Sequence, residues 1–163
     1  MAMIFSTKAE YGVRLMIELG RQGSDQPISL KAIAEGEGLP LSYLEHVVAK
    51  LKSCDLVVSS RGAQGGYRLA RPADQITMDE VVLCLEGAIA PMECFVHEPE
   101  RVSCSHDYDS GAGCATKLLW TRVQGGIIRS LQATTLAELI AFQSNKRPTI
   151  PAAPPIALTA VAR

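Results

Sequence analysis

No stretch of this 163-residue chain approaches the roughly 20 consecutive apolar residues that a membrane-spanning helix requires. The N-terminus also lacks the basic, apolar and small-residue succession of a signal peptide. A cytoplasmic protein with no membrane partner is the expectation. A global basic excess is missing too: 16 Lys and Arg against 17 Asp and Glu leave a net charge of −1, so the whole-chain balance does not announce a nucleic acid. No Ser-His-Asp or Cys-His arrangement, phosphate loop or paired acid/base set stands out, which makes an enzyme the least expected class. At 17.5 kDa the chain is long enough for one domain with a modest core, or a small domain with an appendage.

Charge is distributed unevenly. Basic residues slightly outnumber acidic ones up to Arg71, whereas Arg101 is the only Lys or Arg between Asp74 and Asp109. Only the first half could meet a polyanion. In that half, Thr7 and Glu10 match a capping box ahead of the apolar stripe Val13, Leu15, Met16, Leu19, predicting a helix over 7–21. Ser29 precedes a short helix over 30–35. After the turn GEGLP, Ser42 and Glu45 form a second capping-box pattern for a helix over 42–53, with Leu44, Val47, Val48 and Leu51 facing inward. Two short helices across a Gly-containing turn make a helix-turn-helix pattern.

The following segment DLVVSSRGAQGGYRLARP reads as two strands, 56–58 and 67–69, around a Gly-rich hairpin. Thr77 and Glu80 then cap a helix over 78–86 that Gly87 closes. A longer apolar pattern from Thr116 predicts a helix interrupted by Gly125-Gly126, a pair that costs up to about 2 kcal/mol relative to alanines and so needs tertiary or partner contacts. Thr135 and Glu138 begin a last helix to Phe142, and RPTIPAAPPIALTAVAR is a Pro/Ala-rich tail.

The second helix of such a unit enters the major groove with its N-terminal residues toward base edges. Ser42, Tyr43, Glu45 and His46 hold those positions here, although Ser42 and Glu45 would also serve as caps. Lys31, Lys50 and Lys52 suit phosphate contacts or a solvated surface equally. The hairpin places Arg61 among small residues with Gln64 at its tip, as a wing entering the negative minor groove requires.

Five cysteines, an odd number, are in a reducing compartment more often free, metal-bound or redox-active than a disulfide framework. Cys54 and Cys84 read as core residues. Cys94, Cys104 and Cys114, each pair separated by nine residues, lie in a polar, glycine-broken segment. Iron bridged by sulfide favours thiolate ligands. Buried free thiols, a zinc site and a redox disulfide among the three stay open from the residues alone.

From MIFSTKAEYGVRLMIELG through the SYLE helix start and the RGAQGGYRLAR wing to TTLAEL, the chain resembles the IscR/NsrR-type (Rrf-type) family of bacterial winged-helix regulators over about 3–142. The resemblance implies a mainly α fold, with an N-terminal winged helix-turn-helix, a two-stranded wing and a long C-terminal dimerisation helix. The implied organisation is 1–74 for DNA binding, 75–92 connecting, 93–115 the cysteine loop, 116–144 dimerisation, and 145–163 the tail. It further implies a homodimer on a pseudo-palindromic duplex operator. It places Ser42, Tyr43, Glu45, His46 and Arg61 at the DNA, to which the residue chemistry adds Lys31, Lys50 and Gln64. Relatives commonly carry Pro-Gly where this chain has Ala63-Gln64. In many members the loop binds an iron-sulfur cluster, implying here a [2Fe-2S] or [4Fe-4S] group on Cys94, Cys104 and Cys114. No histidine follows Cys114 closely, so the fourth ligand implied is Glu10 of the partner subunit, with His106 and then His97 as alternatives. A regulator without a cluster that senses oxidants through a thiol/disulfide couple is the other reading.

Overall fold

The computed structural model describes residues 5–23, 26–62, 65–90 and 115–144. Among them run helices α1 (Thr7–Arg21), α2 (Leu30–Glu37) and α3 (Leu41–Ser53), the hairpin β1 (Val57–Ser60) and β2 (Gly66–Leu69), and then α4 (Met78–Glu86), α5 (Ala115–Ala133) and α6 (Leu136–Ser144). Helix-turn-helix followed by a two-stranded wing is the expected winged-helix order, and the fold is mainly α.

Helices α1 to α4 bury the stripes their spacing prescribes. Leu15, Met16 and Leu19 of α1, Ile33 of α2, Leu44, Val47, Val48 and Leu51 of α3, and Val81 and Leu85 of α4 meet in one core. The strands pair antiparallel in the register Val57↔Leu69 to Ser60↔Gly66. A further rung, which the sequence did not announce, comes from Ile28 just before α2. Its N–H and C=O exchange hydrogen bonds with Tyr67 at 2.9 and 2.8 Å. This rung explains Gly66: a Cβ there would stand 2.4 Å from the Ile28 carbonyl oxygen, a backbone atom that cannot step aside.

Four S/T-x-x-E patterns stand at expected helix starts; the full box forms at Thr77 and Glu80, and at α6 the Glu138 N–H donates to Thr135 Oγ1 at 3.3 Å. At α4 the Thr77 and Glu80 pair caps as expected, with the Thr77 N–H donating to Glu80 Oε2 at 3.1 Å. At α1 the N-cap is Ser6 instead of Thr7; the Ser6 N–H and hydroxyl both donate to Glu86 Oε1, at 2.9 and 2.6 Å. At α3 the N-cap is Pro40 with no side-chain cap, so Ser42 and Glu45 do not form the expected box.

The α5–α6 junction is stitched to the start of α4, because Met78 N–H donates to the Thr134 carbonyl and Leu136 N–H to the Ile76 carbonyl, both at 2.9 Å. Helix α6 then packs along α1 with Leu136 in the core. No residue of α5 is buried, and Leu118 and Leu119 are 57% and 55% exposed. No helix of the described residues is long and apolar enough to cross a membrane.

Candidate nucleic-acid interface and cysteine sites

Helix α3 divides cleanly by face. Leu44, Val47, Val48 and Leu51 point into the core, so Ser42, Glu45, His46, Ala49 and Lys50 are left exposed along the opposite face. Because neither Ser42 nor Glu45 is used in a cap, their oxygens make no hydrogen bond with any described residue. With no side-chain cap on Pro40, the first N–H groups of the helix are also open to an acceptor. The face therefore offers a hydroxyl, a carboxylate, an imidazole and an ammonium to a surface laid across it.

Tyr43 is built differently from its neighbours. Its ring is half-buried and meets Tyr11 edge-on, with centroids 5.4 Å apart and planes at 81°. The ring thus braces α3 against α1. Arg14 also holds the helix-turn-helix, donating from Nε to Glu37 Oε2 at 2.7 Å and from Nη2 to the Glu37 carbonyl at 2.6 Å. Sequence reasoning missed this clamp, since no periodicity links positions 14 and 37.

The wing is tied to α3 by Lys52, whose Nζ donates to Ser59 Oγ at 2.8 Å. Arg61 stands exposed at the end of β1, next to Gly62 with φ 119°, a conformation that favours glycine. Gln64, at the tip, lies outside the described residues. Lys31 on α2 is exposed and makes a loose pair with Glu35 at 3.8 Å, of the kind that contributes little in water.

Glu10 is exposed on α1, and its carboxylate makes no hydrogen bond or ion pair with any described residue. Since Ser6 is the N-cap, the capping alternative for Glu10 does not hold. Its side chain borders an open, largely apolar groove of about 440 Å³ that Val13, Val82 and Leu131 also line. Cys94, Cys104, Cys114, His97 and His106 lie outside the described residues. Among the described residues no group of three or more His, Cys, Asp or Glu could hold a metal ion.

Of the other two cysteines, Cys84 lies in the core as expected and Cys54 does not. Cys54, expected in the core, is exposed at the C-cap of α3; it is bonded as a disulfide to Cys84, buried in α4, with Cα atoms 6.2 Å apart. Thirty residues separate the pair, so no local spacing could signal it.

Helix-turn-helix, bridged wing and an uncapped, exposed polar face on the second helix define a winged-helix DNA-binding regulator. The chain belongs to the Rrf2 family of iron-dependent transcriptional regulators, whose model matches residues 5–141. It is 35% identical to protein rrf2 of Nitratidesulfovibrio vulgaris over 138 residues, which are 85% of this chain and 87% of that one. Among solved structures, CymR, the global cysteine regulator of B. subtilis, superposes with a TM-score of 0.69 at 35% identity, covering 87% of this chain and 98% of the other. IscR of T. potens gives 0.66 at 34% identity, covering 83% and 85%. Other relatives bearing the names CymR and IscR are HTH-type transcriptional regulators.

Proposed function

We propose that the protein is a homodimeric, cytoplasmic transcriptional regulator that reads a pseudo-palindromic duplex operator and senses redox, nitric oxide or iron-sulfur status. The observation that carries the DNA reading is the exposed α3 face of Ser42, Glu45, His46 and Lys50, none of them held in a cap. Ser42 and Glu45 are the base-reading pair, the latter accepting from a cytosine amino group. Lys31 and Lys50 bind phosphate, Tyr43 adds only its hydroxyl, and Arg61 with Gln64 enters the minor groove. Residues 1–74 read DNA, 75–92 connect, 93–115 carry the cysteines, and 116–144 dimerise ahead of the 145–163 tail. The exposed Leu118, Leu119 and Val123 of α5 support a second copy as the partner.

Cys94, Cys104 and Cys114 with Glu10 of the partner subunit form a donor set of three thiolates and one carboxylate, which fits an iron-sulfur cluster of [2Fe-2S] or [4Fe-4S] type. Three observations support this assignment: the family's iron-dependent character, the unpartnered Glu10 carboxylate and the loss of its capping role. When bound, the cluster supplies a centre reactive toward oxidants and nitric oxide. A second reading, a cluster-free thiol/disulfide sensor, is favoured by the Cys54–Cys84 bond.

Anaerobic purification tests the cluster through visible absorption and iron and sulfide analysis. Bound iron and sulfide that become labile in Glu10→Ala are expected. A colourless, iron-free protein removes the cluster, and unaltered lability moves the fourth ligand to His106 or beyond. For the wing, Arg61→Ala weakens duplex binding with the fold intact; unchanged affinity takes Arg61 out of the interface.

A further inference from the structure

We propose that Cys54 and Cys84 form a reversible thiol–disulfide site, distinct from the segment of Cys94, Cys104 and Cys114, which sets how firmly the recognition helix is seated. The regulatory half of this proposal rests on the DNA-binding function above.

The placement of the pair carries the inference. Cys54 is the C-cap of α3, the helix whose exposed face would lie in the major groove. Cys84 is buried in α4, the helix that packs on α1, α3 and α5 and leads into the cysteine segment. The bond therefore runs from the end of the reading element to the element that joins it to the rest of the molecule.

Local geometry concentrates its effect on one turn. Helix α3 closes in a Schellman motif: the Leu56 N–H donates to the Leu51 carbonyl at 3.1 Å and the Asp55 N–H to the Lys52 carbonyl at 3.2 Å. Asp55 supplies the left-handed residue with φ 55°. Position C′ thus carries a side chain where glycine is the usual occupant, so the end of α3 is weakly terminated by its own backbone. An anchor at Cys54 compensates. Lys50 and Lys52 belong to the same last turn, and Lys52 also holds Ser59 of the wing, so both reading elements converge on the anchored turn. The Lys50 carbonyl lies 3.4 Å from Cys84 Sγ and is positioned to accept from the thiol of the reduced form.

Access fits the chemistry. Cys54 is exposed and Cys84 is buried, so Cys54 meets a solution reagent first and Cys84 resolves. With a low-molecular-weight disulfide as oxidant, the Cys54 thiolate attacks one of its sulfurs, breaking that S–S bond and releasing one small thiol. Cys84 then attacks Cys54 Sγ, forming the intramolecular bond and releasing the second. Two protein thiols lose two electrons and two protons, and one small disulfide becomes two thiols. Excess small thiol runs the steps in reverse. The anchored turn is already ordered before DNA arrives, whereas the released turn must be ordered on binding; the disulfide form therefore binds the tighter.

The test equilibrates the full chain in glutathione buffers spanning reducing to oxidising, traps thiols by alkylation and maps them by peptide mass. Cys54 and Cys84 should appear linked in oxidising buffer and both alkylated in reducing buffer, reversibly. In Cys84→Ala, Cys54 should instead carry glutathione. A pair that never links, or that no buffer reduces, overturns the site. The same samples are titrated with a duplex that the protein selects from a random-sequence pool. The oxidised form should bind at least about fivefold tighter, and this difference should vanish in Cys54→Ser, an exchange at an exposed helix end that preserves the fold even if Cys84→Ala does not. Equal affinities, tighter binding when reduced, or a response that persists in Cys54→Ser overturns the coupling. Failure to bind duplex in either state overturns the DNA-binding reading and the coupling with it, while the alkylation arm decides the thiol pair by itself.

Discussion

Single residues in this protein hold their roles because a distant group frees them or restrains them. Ser42 and Glu45 match a capping box in sequence, yet α3 begins at Leu41 behind Pro40 and neither is used as a cap. Ser42→Ala and Glu45→Ala should each change stability by no more than about 0.5 kcal/mol in thermal unfolding, while weakening duplex affinity. A loss of about 1 kcal/mol at either position would restore the capping role. Asp55 makes the opposite case, since its φ of 55° is a conformation that side chains rarely adopt. Asp55→Gly should be neutral or stabilising, whereas Asp55→Val should cost about 1–2 kcal/mol in denaturant titration; equal stabilities would remove the left-handed cap from the account.

At the scale of elements, helix existence and the inward faces were legible in the sequence, because a 3.6-residue apolar period leaves little freedom about which side is buried. The helix over 78–86 came out with its predicted cap and its closing Gly87. What could not be read was any contact set by a partner far along the chain. The box at Thr7 and Glu10 is displaced by Glu86, 80 residues away from Ser6. The Ile28 rung, the Arg14–Glu37 clamp and the Cys54–Cys84 bond are of the same kind. Around the candidate site, the exposure of Ser42, Glu45, His46 and Lys50 opposite the apolar face of α3 was legible; the bracing of Tyr43 by Tyr11 was not.

The start of α4 carries a pH signature. Burial opposes ionisation of Glu80, but hydrogen bonds from Arg71 and the Thr77 N–H, together with the Arg71 charge, outweigh it and hold the carboxyl below its ordinary 4.5. A depressed folded pKa means that the contribution is complete above 4.5 and is lost as pH falls through the lower folded value. Glu80→Gln should therefore destabilise at neutral pH and flatten the fall in stability as pH drops from 4.5 through the lower folded value. A variant that follows the wild-type acid profile would contradict the pairing.

At the scale of the whole molecule, the described residues leave unsatisfied the polar face of α3 and the apolar side of α5. Leu118, Leu119 and Val123 are exposed on a helix with no buried residue, the kind of apolar face that marks an interaction surface. At Gly126 a Cβ would meet nothing among the described residues, so no contact there accounts for a mid-helix glycine. Leu119→Glu should yield monomers by sedimentation and lower duplex affinity with them; a dimer unaffected by that charge would move the interface elsewhere.

In the function proposed above, a two-fold pair of α3 faces reads duplex DNA. Selection from a random-sequence duplex pool by the wild-type protein, sequenced alongside Glu45→Ala, tests it most directly. The expected outcome is an enriched sequence with two inverted half-sites about one helical turn apart, with discrimination relaxed at one symmetric position in Glu45→Ala. A wild-type pool with no enriched symmetric sequence would contradict it.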